Sequence, residues 1–225
     1  MSAAAAVRSP IQPLRVLRYG AVIAVCFLMM VPILVAISSA FKSPQEINNV
    51  LALPTRPVFD NFVIGWNQMS GAVLNSLMIT IPSVILSVFI GCLAAYPLSM
   101  MPIKASRWIY FFLLSGMFVP FQIVQIPVFY LTRLLGVYNT IPGLWLVHVA
   151  FGVPVCTFFM RNFFATIPRS MYEAAQIDGC STAGYFFKIL LPASFTGIAA
   201  LAIVQSRSVW NDLLFAMTLT NSDQT

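Results

Sequence analysis

Long apolar runs constrain this chain more than any other feature. Each of five stretches is longer than the roughly 20 residues that an α-helix needs to cross a bilayer; they are residues 19–41, 71–101, 108–131, 141–164 and 193–217. Hydrophobic residues make up 60% of the sequence and charged residues 8%, and the mean hydropathy is +0.89. These values lie outside the range of soluble globular domains. We therefore predict an all-α fold, a polytopic membrane helical bundle with five spans.

The distribution of Lys and Arg predicts the orientation of these spans, because cytoplasmic loops are enriched in basic residues. If the N-terminal tail, residues 1–18, is inside, the inner side carries eight of them: Arg8, Arg15, Arg18, Lys104, Arg107, Arg161, Arg169 and Lys188. The outer side then carries three, Lys42, Arg56 and Arg133. Basic residues scattered in this way indicate topology rather than a nucleic-acid patch. We predict a cytoplasmic N-terminus, contact with membrane lipid and no nucleic-acid partner.

A signal peptide is the competing interpretation of the first apolar run, residues 19–41, since a basic flank precedes it. The run is longer than the usual signal core, and the residues after it, 42–45, contain no small-x-small cleavage site. We therefore interpret it as a retained first transmembrane helix. Residues 42–70 are predicted to form an external segment, with a short surface helix at residues 59–68 that Asp60 caps.

Polar residues inside the spans are candidates either for packing contacts or for the lining of a transport pathway. Pro120 and Pro127 predict a kinked third span, whose unpaired backbone carbonyls would suit the wall of a cavity. Polar side chains often bridge membrane helices, so packing is the favoured interpretation of Asn75. The candidate pathway residues are Asn75, Gln122, Gln125 and Asn211.

Ionisable residues in or near the spans are few. A histidine without a carboxylate on a neighbouring span is a poor proton carrier, so hydrogen bonding between helices is favoured for His148. Arg207 and Asp212 are five residues apart, which does not favour an ion pair on one helix face. The cysteines form no CxxC pair and His148 is the one histidine in the sequence. We therefore predict no metal site and no disulfide framework.

A polar segment between the fourth and fifth runs differs from the rest of the chain. Ser170 and Glu173 have the spacing of a capping box, which predicts a helix that begins near Met171. Gly179 can take the left-handed conformation that ends a helix, and Ser181 can cap the next helix. The predicted unit is a helix, a glycine corner and a second helix.

The same segment carries a family resemblance. It contains Glu173-Ala174-Ala175, a glycine six residues after the glutamate, an isoleucine ten residues after that glycine, and Leu191-Pro192. This spacing resembles the cytoplasmic coupling loop of binding-protein-dependent ABC importer permeases; a solvated loop between helices is the alternative. Other segments are similar to the sugar-uptake branch, and in particular to the smaller permease of maltose-type systems: residues 57–62, 119–127, 161–168 and 210–212.

The resemblance implies a type I ABC importer permease domain at residues 71–225 with a cytoplasmic coupling loop at residues 165–192. The family fold has six spans in this subunit type and five are present, so the domain is expected to be incomplete at its C-terminus. The implied partners are a second homologous permease in a heterodimer, two cytoplasmic ABC ATPase subunits and an external solute-binding protein. The implied location is the cell inner membrane, and the implied coupling residues are Glu173, Ala174, Ala175, Asp178, Gly179 and Pro192.

The implied function is the import of a sugar, driven by ATP that partner subunits bind. The sequence contains no GxxxxGK[ST] phosphate loop, so we expect neither an enzyme nor a cofactor in this chain. In this interpretation Glu173 makes a charged contact with an ATPase, Ala174 and Ala175 fit a groove, Gly179 permits the bend and Pro192 sets the start of the fifth span. The alternatives are a non-sugar solute, a proton-coupled secondary transporter and a membrane enzyme, for which a convergent set of polar groups is lacking.

Overall fold

The computed structural model describes residues 13–221, so Arg8 and most of the predicted N-terminal tail lie outside the described residues. The helices are α1 (Pro13–Ala40), α2 (Asp60–Met100), α3 (Ser106–Ser115), α4 (Phe121–Leu134), α5 (Ile141–Phe164), α6 (Arg169–Ile177), α7 (Thr182–Tyr185), α8 (Leu191–Ala193), α9 (Phe195–Trp210) and α10 (Leu214–Leu219). Three helices within the described range are long and apolar enough to cross a membrane, or up to five spans if each of two bent pairs is one span. This agrees with the predicted helical bundle.

The chain divides into two compact units, one ending at Ser70 and the other beginning at Gly71. In the first unit, hydrogen bonds of the Lys42 and Glu46 side chains hold the loop after α1. The ammonium group of Lys42 is buried and donates hydrogen bonds to the backbone carbonyls of Asn49 (2.8 Å) and Val50 (3.1 Å). The carboxylate of Glu46 accepts hydrogen bonds from the hydroxyl and backbone N–H groups of Thr55, and these bonds lower the pKa of Glu46. The loop therefore has a defined conformation of its own.

The predicted surface helix at residues 59–68 is not a separate element. Asp60 begins α2, which continues without interruption for 41 residues to Met100, a length of about 60 Å. Residues 60–71 contain no proline, and nothing else in that stretch ends a helix. The helix also passes through Pro82 and Pro97, because a bundle can satisfy the carbonyl groups that a proline leaves unpaired.

The third span is broken rather than kinked. Helix α3 ends at Ser115, a single 3₁₀ turn covers Gly116–Phe118, and α4 begins directly after Pro120. The two halves meet at 97°. Pro120 has an extended backbone (ψ 125°), and its ring removes the N–H group that would continue the α3 hydrogen-bond ladder. Pro120 and Pro127 predicted an irregular third span, and this is confirmed. The distortion is larger than the predicted kink.

The fourth span has the predicted limits, Ile141 to Phe164. Its start is fixed by Thr140, whose side-chain oxygen accepts a hydrogen bond from the backbone N–H of Gly143 (3.1 Å). Such a cap satisfies one of the free donors of the first turn. The preceding turn contains Gly136 and Asn139 in left-handed conformations (φ 71° and 58°), as expected of a tight connection.

The prediction of one continuous fifth span at residues 193–217 is wrong. Helix α9 ends at Trp210, and a new helix, α10, begins at Leu214. At the break, the carboxylate of Asp212 accepts a hydrogen bond from the backbone N–H of Phe215 (3.2 Å). Aspartate side chains compete in this way with the hydrogen bonds that would continue a helix. At the other end, α9 meets the segment 182–193 at 74°.

Helices α2, α5 and α9 approach one another closely at glycine positions, which we call the glycine seam. A Cβ atom on Gly91 would lie 2.4 Å from Cβ of Cys156, and one on Gly197 would lie 2.7 Å from the ring of Phe163. Both distances are too short for real contacts, so larger residues would force the helices apart. Small residues at helix interfaces are the usual means of close packing in lipid. The seam belongs to one buried cluster that runs from Val84 on α2 to Val209 on α9.

We predict that Gly91→Ala destabilises the second unit by about 1–3 kcal/mol, because the new methyl group cannot be accommodated without moving α2 from α5. Thermal unfolding of the detergent-purified protein measures the change. Gly71→Ala is the matched control, because the same helix offers open space there and alanine favours helix over glycine. Equal melting temperatures for the two variants would contradict the close approach at Gly91.

Candidate functional site

The segment from α6 to α7, residues 169–185, forms a rigid corner that we call the elbow. Gly179 lies at its turn with φ 77°. The backbone N–H of Cys180 donates a hydrogen bond to the carbonyl of Ala175 (2.8 Å), and the N–H of Gly179 donates one to the carbonyl of Gln176 (3.0 Å). These two bonds make a Schellman motif, which closes a helix with a left-handed residue. The predicted helix, glycine corner and helix are therefore confirmed.

The two predicted helix caps of the elbow have different outcomes. Ser181 caps α7 as expected, since its hydroxyl accepts a hydrogen bond from the N–H of Gly184 (3.0 Å). The predicted capping box of Ser170 and Glu173 is wrong. Helix α6 begins at Arg169, directly after Pro168, and no side chain caps it. Proline has a backbone angle already suited to a helix start, so Ser170 becomes part of the first turn.

One face of α6 is exposed and carries most of the predicted coupling residues. Glu173, Ala174 and Asp178 are exposed, as is Gly179 at the corner. The same end of the elbow presents Ile177, whose side chain is 86% exposed. Ile177 is therefore accessible from outside the chain. Ile177 was not predicted from the sequence, because the prediction was based on small and charged residues.

Ala175 does not belong to this exposed face, which corrects the prediction that it fits a partner's groove. Its side chain is 5% exposed and lies in the buried cluster of the second unit. Its small size therefore lets α6 pack closely on its own chain. The exposed face at this end of the elbow is acidic and apolar, and is made by Glu173, Ala174, Ile177 and Asp178.

Aromatic side chains join the elbow to α2. The ring of Tyr172 on α6 meets the ring of Tyr185 on α7 edge to face, with centroids 5.0 Å apart. Tyr96 on α2 stacks on Phe186 at 5.1 Å and donates a hydrogen bond to the carbonyl of Thr182 (3.1 Å). Tyr96, Tyr185 and Phe186 are buried in one cluster, so the elbow is packed directly against α2.

Pro192 lies at the second bend of this region. It is exposed in the short helix α8, after a π-helical turn at Phe186–Leu190 and before α9 begins at Phe195. The proline thus precedes the start of α9 by three residues.

A cavity of about 370 Å³ lies where α5, α9 and α10 meet. Its polar lining comes from His148 on α5 and from the region where α9 ends: Gln205, Ser208, Asn211 and Asp212. Of the four candidate pathway residues, Asn211 lines this cavity. Asn75, Gln122 and Gln125 are not among its lining residues. Gln205 and Ser208 were not predicted, although the polar stretch at residues 205–208 departs from an otherwise apolar run.

His148 has a carboxylate neighbour, which contradicts the assumption in the sequence analysis that no carboxylate lies near it. Its Nε2 atom lies 3.8 Å from a carboxylate oxygen of Asp212. The two meet because the chain leaves α9 at Trp210 and turns at Asn211 toward α5. No group of three or more His, Cys, Asp or Glu side chains suited to a metal ion occurs within residues 13–221.

Comparison with known proteins assigns the fold and the family. Residues 87–224 match the family described as binding-protein-dependent transport system inner membrane component. The chain belongs to this family. The resemblance found at the elbow is thereby confirmed, and in this family the chain is a membrane component of a transport system.

Two relatives illustrate the range of this family. The diacetylchitobiose uptake system permease NgcG of Streptomyces coelicolor is 35% identical over 200 residues, covering 88% of this chain and 66% of NgcG. The xylose/arabinose import permease XacI of Haloferax volcanii is 32% identical over 233 residues, covering 93% of this chain and 75% of XacI. The chain thus spans about two thirds of the length of NgcG and three quarters of that of XacI.

A solved structure supports the fold. A chain in the crystal structure of a bacterial ABC transporter involved in the import of the acidic polysaccharide alginate superposes with a TM-score of 0.83. The match covers 98% of this chain and 79% of that chain, at 22% sequence identity. The predicted helical bundle of the type I ABC importer permease kind is confirmed.

We predict that Tyr172→Ala loosens the elbow, because the ring contact with Tyr185 is lost and a buried aromatic contact contributes about 0.5–1.5 kcal/mol beyond its buried area. Hydrogen exchange of the amides in residues 172–185 should become faster. Tyr172→Phe is the control, since it keeps the ring and removes only the hydroxyl that accepts a hydrogen bond from Gln176. Equal exchange in the two variants would show that the ring does not hold the elbow.

Proposed function

We propose that this protein is a membrane-spanning permease subunit of an ATP-driven importer for a sugar. The elbow is the observation that carries the proposal, because it combines an exposed acidic and apolar face with a buried face in the core of the bundle. A surface of this kind can receive a force from another protein and pass it to α2, α5 and α9. Family membership supports this assignment.

The proposed partners follow from the family description and from the absence of a phosphate-binding loop in the sequence. Two cytoplasmic ABC ATPase subunits bind ATP, a second homologous permease completes the pathway, and an external solute-binding protein delivers the sugar. The elbow faces the cytoplasm and the N-terminus lies on the same side, in the inner membrane. The distribution of Lys and Arg supports this orientation.

In the proposed mechanism the elbow acts as a lever. Closure of the ATPase subunits displaces α6, the Schellman corner keeps α6 and α7 at a fixed angle, and Tyr185 and Phe186 transmit the displacement to Tyr96. Glu173 makes the charged contact and Ile177 makes the apolar contact with the ATPase. Two discrete arrangements of the bundle, open to opposite sides, are then favoured by different partners.

A sugar is the proposed solute because the relatives NgcG and XacI carry the names of sugar importers. A non-sugar solute is the alternative within the same family. It is tested by the uptake of labelled sugars and non-sugars through the complete transporter, in which non-sugar uptake without sugar uptake would overturn the sugar assignment.

A proton-coupled secondary transporter is a second candidate, which the His148–Asp212 approach favours. The carboxylate of Asp212 also accepts a hydrogen bond from the N–H of Phe215, which gives it a structural role at the start of α10. A protonophore decides between the two: with ATP held constant, uptake continues if ATP drives it and stops if protons do.

We predict that Gly179→Val lowers ATP-driven uptake by about tenfold or more while insertion into the membrane is unchanged. Space around Gly179 is open, so the effect comes from its φ of 77°, where a side chain costs about 1–2 kcal/mol and a β-branched one more. Uptake and ATPase activity are measured with the complete transporter in proteoliposomes.

Gly179→Asn is the matched control, because asparagine tolerates the left-handed conformation better than other residues with a side chain. It should retain most of the uptake. Full coupled uptake by Gly179→Val, at wild-type levels of assembled complex, would refute the lever role of the elbow.

A further inference from the structure

Three basic side chains lie where α2 ends, α3 begins and α5 ends. We call this cluster the basic corner; its members are Lys104, Arg107 and Arg161. Within residues 13–221, none of the three makes an ion pair with a carboxylate. The sequence contains no Asp or Glu between Asp60 and Glu173, so the segment that builds the corner supplies no negative side chain. The basic corner therefore presents positive charge that its own surroundings do not neutralise.

Hydrogen bonds to one carbonyl group bring the corner together. The backbone carbonyl of Leu98, near the end of α2, accepts a hydrogen bond from the hydroxyl of Ser106 (3.0 Å) and one from Nε of Arg161 (3.4 Å). Ser106 is the first residue of α3, and Arg161 lies in the last turn of α5. Arg107 follows Ser106 directly, and Lys104 lies two residues before it in the loop. The fold thus joins cations from two parts of the sequence at one end of the bundle.

Contacts on two sides hold the guanidinium group of Arg161 in place. Its Cζ atom lies 4.1 Å from the ring centroid of Tyr110, and that ring stacks on the ring of Phe158 with centroids 6.4 Å apart. The bond from Nε to Leu98 uses one of the five N–H groups of the guanidinium. The four on the two terminal nitrogens have no partner in residues 13–221. A guanidinium fork that is fixed in this way fits two oxygens of a phosphate group.

Lys104 and Arg107 extend the positive surface beside Arg161. Both side chains are exposed, and neither makes a side-chain hydrogen bond in the part of the chain that the structure describes. The guanidinium of Arg107 lies over the ring of Phe111, one turn later, at 5.7 Å from its centroid. Clustered charges of one sign attract an oppositely charged ligand more strongly than one charge does. A phosphate at Arg161 is therefore favoured further if its carrier is an anion.

Exposed aromatic side chains next to the corner indicate what carries that phosphate. Trp108 and Phe112 on α3 are 76% and 79% exposed, and their spacing of four residues puts them on one face of the helix. The apolar run of the third span begins at Trp108, and tryptophan is enriched where a span leaves the hydrocarbon core for the headgroups. A ligand with a phosphate group and apolar chains suits cations and aromatic rings in this order.

We propose that the basic corner binds the headgroup of an anionic phospholipid, with the phosphate at Arg161 and the negative charge balanced by Arg107 and Lys104. A zwitterionic headgroup carries its own ammonium group, which the cluster repels, so the corner selects lipids with net negative charge. Each Lys or Arg near the membrane surface strengthens the attraction to anionic lipid about fivefold. The ligand is a membrane lipid, so the inference goes beyond the proposed function and does not depend on the solute.

The test is photo-crosslinking of the complete transporter in phosphatidylcholine proteoliposomes that contain a trace of phosphatidylglycerol with a photoreactive headgroup. Cross-linked peptides are identified by mass spectrometry. We expect cross-links within residues 98–111 and 158–161. Replacing part of the phosphatidylcholine with unlabelled phosphatidylglycerol should remove them, whereas zwitterionic phosphatidylethanolamine should not. No cross-link in these residues, or equal competition by the two unlabelled lipids, would overturn the site.

Substitutions at the exposed cations measure their contribution. Lys104→Gln and Arg107→Gln should each lower the cross-link yield about fivefold, and both should fold because neither side chain is hydrogen-bonded. Arg161→Gln should lower the yield further, since the phosphate contact itself is lost.

Arg133→Gln is the matched control. Its guanidinium also lies over aromatic rings, but Arg133 precedes the start of α5 and Arg161 lies near its end. The yield within residues 98–111 and 158–161 should stay at the wild-type level in this variant. If Lys104→Gln and Arg107→Gln have the same yield as Arg133→Gln, the proposed site is wrong.

An ATPase subunit is the alternative occupant of the basic corner, because α5 leads from this corner into the elbow. The cross-linking is therefore repeated with the ATPase subunits removed and restored. An unchanged yield supports the lipid, and loss of the cross-link when the subunits bind overturns it. Since uptake is not the readout, failure of the lipid site leaves the proposed function standing, and a transporter that imports no sugar leaves the lipid result standing.

Discussion

The close approach of α2, α5 and α9 at the glycine seam is the constraint on which the rest of the structure depends. Lipid offers little hydrophobic force between helices, so packing at small residues must hold the bundle together. At Gly91 the backbone of α2 comes so near Cys156 that no side chain fits between them. The same packing supports the elbow, because Ala175 and Tyr185 belong to one buried cluster with Cys92 of α2 and Leu201 of α9, which lie close to the seam glycines in sequence.

Backbone hydrogen bonding explains both the closed corner of the elbow and the breaks in two apolar segments. The Schellman corner at Gly179 fixes the angle between two short helices with backbone hydrogen bonds alone, so its outer face is free to contact a partner. The breaks at Pro120 and Asp212 have the opposite effect, since each ends a helix inside an apolar segment. Such irregular backbone is tolerated in a membrane where protein or a cavity surrounds it. The cavity beside Asp212 agrees with this rule.

The sequence predicted the features that local chemistry controls. Apolar runs located the spans and gave the limits of α5, and the glycine at the end of Glu173-Ala174-Ala175-Gln176-Ile177-Asp178-Gly179 predicted the corner. The features that were missed depend on tertiary contacts or on competing local signals. Hydropathy does not detect the end of α9, because Leu213 to Met217 are as apolar as the span itself. The burial of Ala175, the exposure of Ile177 and the meeting of His148 with Asp212 are visible only in the packed chain.

The most direct test asks on which side of the membrane the elbow lies and whether a partner covers it. The measurement is the labelling of Ile177→Cys, in a background without native cysteines, by a membrane-impermeant thiol reagent. We expect labelling in inside-out vesicles from which the ATPase subunits have been removed, and protection when those subunits are restored. Labelling in right-side-out vesicles, or labelling that the ATPase subunits do not change, would contradict the proposed coupling.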